Sequence, residues 1–162
     1  MKMRTMNVRP LTTKFLATGA AFIMTLLMAC TGAAQAAEYT MYRDANCGCC
    51  KEWAMHAETG LHSEMAVVDS PDMNKVKAEH GVPANLQSCH TAIIEGYVIE
   101  GHVPAADIER LLATKPDGVT GLAVAGMPMG SPGMEHGDHK QAFQVIAFGP
   151  SGQSVFSAYP AS

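Results

Sequence analysis

Cys47-Gly48-Cys49-Cys50 places three thiols within four residues, directly ahead of a segment whose apolar positions recur at helical spacing. Cys47 and Cys50 keep the C-x-x-C spacing of a redox pair, and Cys49 adds a sulfur that disulfide exchange does not require. The surplus thiol points towards metal. Trp53, Ala54, Ala57 and Leu61 predict a helix with Gly60 as its stop, so Cys50 falls in or beside the first helical turn. A helix N-terminus favours negative charge, which readies thiolates there for metal or for attack on a disulfide.

Working outward, residues 39–42 read as a short strand, and Arg43-Asp44-Ala45-Asn46 as the turn that delivers the cysteines. On the other side, residues 64–68 predict the next strand. Ser70-Pro71 then reads as an N-cap followed by proline at the first helical position, with Met73 and Val76 in a helix that stops at Gly81. Residues 91–94 and 97–99 flank Glu95-Gly96 as an antiparallel hairpin. Pro104 opens a third helix whose apolar face is Ile108, Leu111 and Leu112. The order β-α-β-α-β-β-α predicts an α/β fold, a single thioredoxin-like domain with a mixed sheet. Residues 118–137, rich in Met, Gly and Pro, show neither strand nor helix periodicity and are expected to form a long loop, hence a second candidate site. Residues 143–148 and 154–159, about Gly149-Pro150-Ser151-Gly152, close the chain as a C-terminal β-hairpin.

The first 36 of the 162 residues are of another kind. Lys2, Arg4, Arg9 and Lys14 precede an apolar run over residues 15–29 and a small-residue stretch over 31–37. A membrane span needs about 20 apolar residues, so the segment reads as an export signal, residues 1–36, released at Ala34-Gln35-Ala36. The competing reading is a lipobox, Leu27-Met28-Ala29-Cys30, which would make Cys30 a lipid-bearing first residue and tether the domain to a membrane. Soluble release is preferred. Residues 37–162 carry seven basic residues against fifteen acidic ones, a balance of −8, so nucleic acid is excluded as an expected partner. Cys47, Cys49, Cys50 and Cys89 remain in either case.

Four motifs now stand in order: Cys47-Gly48-Cys49-Cys50, Ser88-Cys89-His90-Thr91, the run from Gly96 through Gly101-His102-Val103-Pro104, and Gly126-Met127-Pro128-Met129-Gly130-Ser131-Pro132-Gly133-Met134. Together they resemble the CopG-type periplasmic copper-resistance proteins over nearly all of residues 37–162. The resemblance implies a thioredoxin-like fold, copper bound through cysteine thiolates as a multinuclear Cu(I) cluster, and a role in copper tolerance. Ala125 departs from the proline expected before Gly126-Met127.

Residue chemistry is weighed beside that resemblance. Structural disulfides are the ordinary alternative in an oxidising compartment, but vicinal Cys49 and Cys50 fit them poorly. Thiolates with thioethers nearby favour Cu(I), while thiolates alone also suit Zn(II), which usually draws on two separated ligand pairs. Copper leads and zinc is the alternative. Cys89 stands just before the third strand, where this fold brings a loop against the C-x-x-C helix, so it is expected to complete the thiolate set. His90 reads equally as a Cu(II) ligand, a supporting group or a core histidine. Met127, Met129 and Met134, with His136 and His139, offer Cu(I) ligands in the loop, against the ordinary use of methionine as core filler. His102 is placed near the same site.

The leading expectation is an exported, periplasmic copper-binding protein that sequesters Cu(I), with copper redox interconversion or transfer to other resistance proteins as further roles. The alternative is a periplasmic thiol-disulfide oxidoreductase using Cys47 and Cys50. Binding is preferred over enzymatic turnover.

Overall fold

The computed structural model describes residues 39–162, so the export signal, the Cys30 lipobox and the cleavage point lie outside the described residues. Seven strands form one mixed sheet: β1 (Tyr39–Arg43), β2 (Met65–Asp69), β3 (His90–Ile94), β4 (Tyr97–Glu100), β5 (Gly121–Ala123), β6 (Phe143–Gly149) and β7 (Gly152–Tyr159). Three helices, α1 (Gly48–Leu61), α2 (Met73–Glu79) and α3 (Ala105–Thr114), interrupt them. The sheet order is β2-β1-β3-β4-β5-β6-β7. The β1–β2 and β4–β5 pairs run parallel and the other pairs antiparallel. The expected β-α-β-α-β-β-α order is present, with three more strands added beyond β4.

The position of β1, inside the sheet between β2 and β3, explains where the site lies. Tyr39, Met41 and Arg43 alternate into the protein, and a strand that ends there must release its chain at the edge of the core. Arg43 fixes that exit. Its guanidinium donates to the carbonyls of Asp44, Ala45 and Cys47 at 3.2, 3.2 and 3.0 Å and pairs with Asp69 at 2.8 Å. α1 then starts at once. It buries Cys50, Trp53, Ala54 and Ala57, the three-and-four spacing of a helix with one face in the core.

Several expectations need correction. Gly60 does not stop α1, which continues to Leu61 and ends on His62 in a left-handed conformation at φ 52°. Gly60 instead lets α3 approach, because a Cβ there would overlap the Ala105 side chain. The second helix is capped by Asp72, whose carboxylate accepts from Lys75 N at 3.0 Å, and not by Ser70. Residues 118–137 are not loop throughout. They contain β5, which pairs with β4 and β6 in the interior of the sheet, where Leu122 and Ala123 are fully buried. Three residues, Gly121, Leu122 and Ala123, are too few to display a period.

The two hairpins form as expected. Glu95 and Gly96 link β3 to β4 with positive φ values of 48° and 85°, the combination a two-residue type I′ turn needs. β6 and β7 pair along their length, with an irregularity at Val145/Ile146. No helix among the described residues is long and apolar enough to cross a membrane.

Candidate metal centre

The site is built where the N-terminus of α1 meets the entrance to β3. Cys47 is the N-cap residue of α1, and the hydrogen bond from its amide to the Asp44 carbonyl, 3.0 Å long, closes the turn before it. Cys49 and Cys50 occupy the first turn, with Cys50 fully buried and Cys47 and Cys49 half-buried. Cys89 directly precedes β3. One sulfur from each of Cys47, Cys49, Cys50 and Cys89 lies within 4.8 Å of every other, so the expected thiol set is brought together. Cys47 and Cys50 are joined as a disulfide, while Cys49 and Cys89 are free. The Sγ atoms of Cys47 and Cys49 are 3.5 Å apart.

Cys89 also belongs to a second group. Its sulfur lies 3.3 Å from His90 Nδ1 and 3.0 Å from His102 Nε2, and the three donors are mutually within 4.8 Å. Both rings are fully buried. His102 Nδ1 lies 2.8 Å from the Pro132 carbonyl, which only accepts, so the proton sits on Nδ1 and the Nε2 lone pair faces Cys89. Burial lowers the pKa of His102, opposed by the Pro132 carbonyl and Glu135. Burial lowers that of His90 far more, with His102 and Lys77 adding to the effect. Neutral imidazoles are the form in which histidine binds metal. Burial, then the charge of Cys49, pushes the Cys89 thiol up to about 12, so in the metal-free site its proton stays until a metal displaces it.

The surroundings hold these donors. Trp53 donates its indole N–H to the Val103 carbonyl at 2.9 Å and lays its ring 4.3 Å, centroid to centroid, from that of His90. His90 meets His102 edge-on at 5.1 Å. His90 Nε2 has no hydrogen-bond partner although it is buried, an orphaned polar atom beside a cluster of soft donors. Behind Cys89, Glu100 accepts from Ser88 N at 2.7 Å, from Thr91 Oγ1 at 2.7 Å and from Lys77 Nζ at 2.6 Å. That buried ion pair fixes the residue before Cys89. The donor set fits a soft metal ion: clustered sulfur, neutral imidazole and an unsatisfied ring nitrogen.

The loop residues divide differently. Met127, Met129, Met134 and His136 line one surface cavity of about 340 Å³, together with Gly133, Glu135 and Gln141. His139 is exposed and lines neither this cavity nor the cysteine cluster. The backbone at Gly133 lies against α1, where a Cβ would come 2.6 Å from Trp53 N and 2.9 Å from Cys49 O. His90 and His102 therefore adjoin the cysteines, while the methionines form a separate feature close by. Arg43, expected in the turn, ends β1 instead, and Trp53 is expected only on the helix face; neither these two nor Lys77 and Glu100 are expected from the sequence to support the site. The only signal for the last pair is a carboxylate ending the apolar run Tyr97-Val98-Ile99.

Comparison with known proteins bears on the same residues. A family model described as "Protein of unknown function, DUF411" matches residues 86–134, which include Cys89, His90, His102, Met127, Met129 and Met134. No curated protein matches. Two solved structures of a copper resistance protein copG, forms 2 and 1, superpose with TM-scores of 0.72 and 0.71. Each is 46% identical, and each alignment covers 76% of this chain and 98% of the other. The chain belongs to the CopG family of copper resistance proteins.

Proposed function

We propose that this protein serves copper tolerance by holding Cu(I) through the thiolates of Cys47, Cys49, Cys50 and Cys89, as a multinuclear cluster in the reduced protein. The observation that carries the reading is the convergence of the four sulfurs within 4.8 Å at a helix N-terminus. Sulfur donors this close bridge several small soft ions more readily than they surround one zinc ion. His90 and His102 adjoin the cluster through Cys89 and supply nitrogen donors that suit Cu(II) as well. Loading the cluster requires reduction of the Cys47–Cys50 disulfide by an external dithiol, which gives up two electrons and two protons to form two thiols here and is itself oxidised to a disulfide. Copper binding then releases the thiol protons to solvent, and His102 stays neutral with its Nε2 lone pair 3.0 Å from the Cys89 sulfur. Copper is cargo in this reading, and passage to other resistance proteins follows sequestration.

The basic, apolar and small-residue sequence of residues 1–36 supports export to the periplasm, with residues 37–162 as the mature domain and a lipid anchor at Cys30 as the alternative.

One observation favours a second reading, thiol-disulfide exchange. The Cys47–Cys50 disulfide has its half-exposed sulfur at the N-cap and its buried sulfur within the helix, which suits Cys47 as the attacking thiol and Cys50 as the resolving one.

An anaerobic Cu(I) titration of the reduced protein against a competing chelator, with Zn(II) in parallel and bound metal counted, separates the readings. Tight uptake of more than one Cu(I) per chain, diminished by Cys49→Ser, supports the cluster. Weak copper binding with all thiols intact sinks it, and exchange of a model disulfide unaffected by Cys49→Ser would then favour the oxidoreductase.

A further inference from the structure

Methionine ordinarily fills gaps in a core, where its flexible thioether is hidden. Met127 and Met129 do the opposite, at 53% and 36% exposure. Met134, half-buried, faces the same cavity of about 340 Å³, and His136 completes its rim. The loop that carries them is fixed by its own hydrogen bonds. Gly130 N donates to the Met134 carbonyl at 2.8 Å, and Met134 N to the Ser131 carbonyl at 2.8 Å. Gln141 grips Met129 from both sides, its side chain accepting from Met129 N at 2.9 Å and its amide donating to the Met129 carbonyl at 2.9 Å. Packing leaves these thioethers unexplained, and the backbone holds them in place around an open cavity.

We infer that Met127, Met129 and Met134, with His136, form a second site for a soft monovalent cation, Cu(I), distinct from the cysteine cluster and serving to acquire the ion at the surface. The inference rests on the copper reading for the identity of the ion only. Neutral thioethers bind Cu(I) without releasing a proton and more weakly than thiolates do, so an ion taken here is free to pass on to the cysteines. The distance to be crossed is short. Gly133, the residue before Met134, rests on the Cys49 carbonyl, and Pro132 holds His102 through its carbonyl. Glu135 ties the same segment to α1 through His56 at 3.1 Å.

The test uses the full chain with Cys47, Cys49, Cys50 and Cys89 all changed to Ser and the methionine ε-methyl groups labelled with carbon-13, titrated anaerobically with Cu(I). Met55, 52% exposed on α1, is the internal control for indiscriminate thioether binding. The expected result is that the ε-methyl signals of Met127, Met129 and Met134 shift together while Met55 stays still. Changing the three to Leu in that background should weaken Cu(I) binding by at least about tenfold, the loss of soft donors without loss of apolar volume. Unmoved loop signals, an equal shift at Met55, or full affinity in the Leu protein would overturn the inference. If the serine protein does not fold, the same signals are followed in the wild-type chain as Ag(I) is added beyond saturation of the cysteines. A selective shift of the three supports the site, and no shift overturns it. Failure of the cysteine cluster to bind copper in the unsubstituted protein would leave these methyl shifts in place, so the two readings fail separately.

Discussion

Cys89 Sγ sits 3.0 Å from His102 Nε2, and the other nitrogen of that ring is tied to the Pro132 carbonyl at 2.8 Å. The carbonyl sets the tautomer, the tautomer sets which lone pair faces the sulfur, and the metal site thereby depends on a loop 30 residues away in sequence. Replacing His102 by Phe keeps the ring volume but removes both interactions. Copper affinity should fall by about 10- to 100-fold, the usual effect of losing a group that orients or adjoins a metal ligand. Chelator competition measures it. Unchanged affinity would make His102 a packing residue.

The disulfide supplies a second expectation. With Cys47 and Cys50 joined, two of the four sulfurs cannot act as thiolates, so the oxidised protein should bind fewer Cu(I) ions per chain than the reduced protein. Metal counting after gel filtration of both forms, prepared anaerobically, decides it. Equal stoichiometry would mean that Cys49, Cys89 and the histidines suffice.

A third concerns the buried ion pair behind Cys89. Lys77 and Glu100 have side chains 5% and 0% exposed, and Glu100 also accepts from Thr91 and Ser88. Lys77→Met should cost about 3–5 kcal/mol, because it strands a carboxylate in the core. Lys77→Met combined with Glu100→Gln should cost less than the sum of the two single changes, since neither then leaves a lone charge. Urea unfolding of the four proteins gives the cycle. Additive losses would show that the pair is not coupled.

These residues also mark how far the sequence could be read. The cysteine cluster, the Glu95-Gly96 hairpin and the face of α3 rest on local spacing, and local spacing survives folding. Cys89 was placed through the element order and does reach the helix end. Arg43, Lys77 and Glu100 were illegible because charged residues are nearly always at the surface, and only their partners, up to 26 positions away, justify burying them. Gly60 misled for a related reason. A glycine near a helix end reads as a stop, whereas here it is the gap into which Ala105 packs. β5 was hidden by being three residues long and buried in mid-sheet.

Tyr159 gives the pH prediction. Burial, the hydrogen bond to Asp107 at 2.8 Å and that carboxylate's charge push its pKa up to about 12, against an unfolded value near 10. The folded state holds the phenolic proton more tightly, so the stabilisation is complete below pH 10 and is lost as pH rises towards 12. Unfolding midpoints across that range should fall more steeply for the wild type than for Tyr159→Phe. Parallel curves would remove Tyr159 from the account.

The last prediction joins the two candidate sites. Gly133 has a φ of 79°, and a Cβ there would come 2.6 Å from Trp53 N and 2.9 Å from Cys49 O, both backbone atoms of α1 that cannot swing aside. Gly133→Ala therefore meets both a left-handed backbone and a steric clash, and should destabilise the fold by about 1–3 kcal/mol. The cheapest relief is for the loop to lift from the helix. Lifting it withdraws Pro132 from His102 and carries Met134 away from the cysteines, so Cys89 should become more readily alkylated while the cysteines themselves are unchanged. Alkylation rates of Cys89 in the wild type and Gly133→Ala, measured under native conditions, check this. An unchanged rate in a destabilised protein would mean that the strain is absorbed in α1 and that the loop does not position His102.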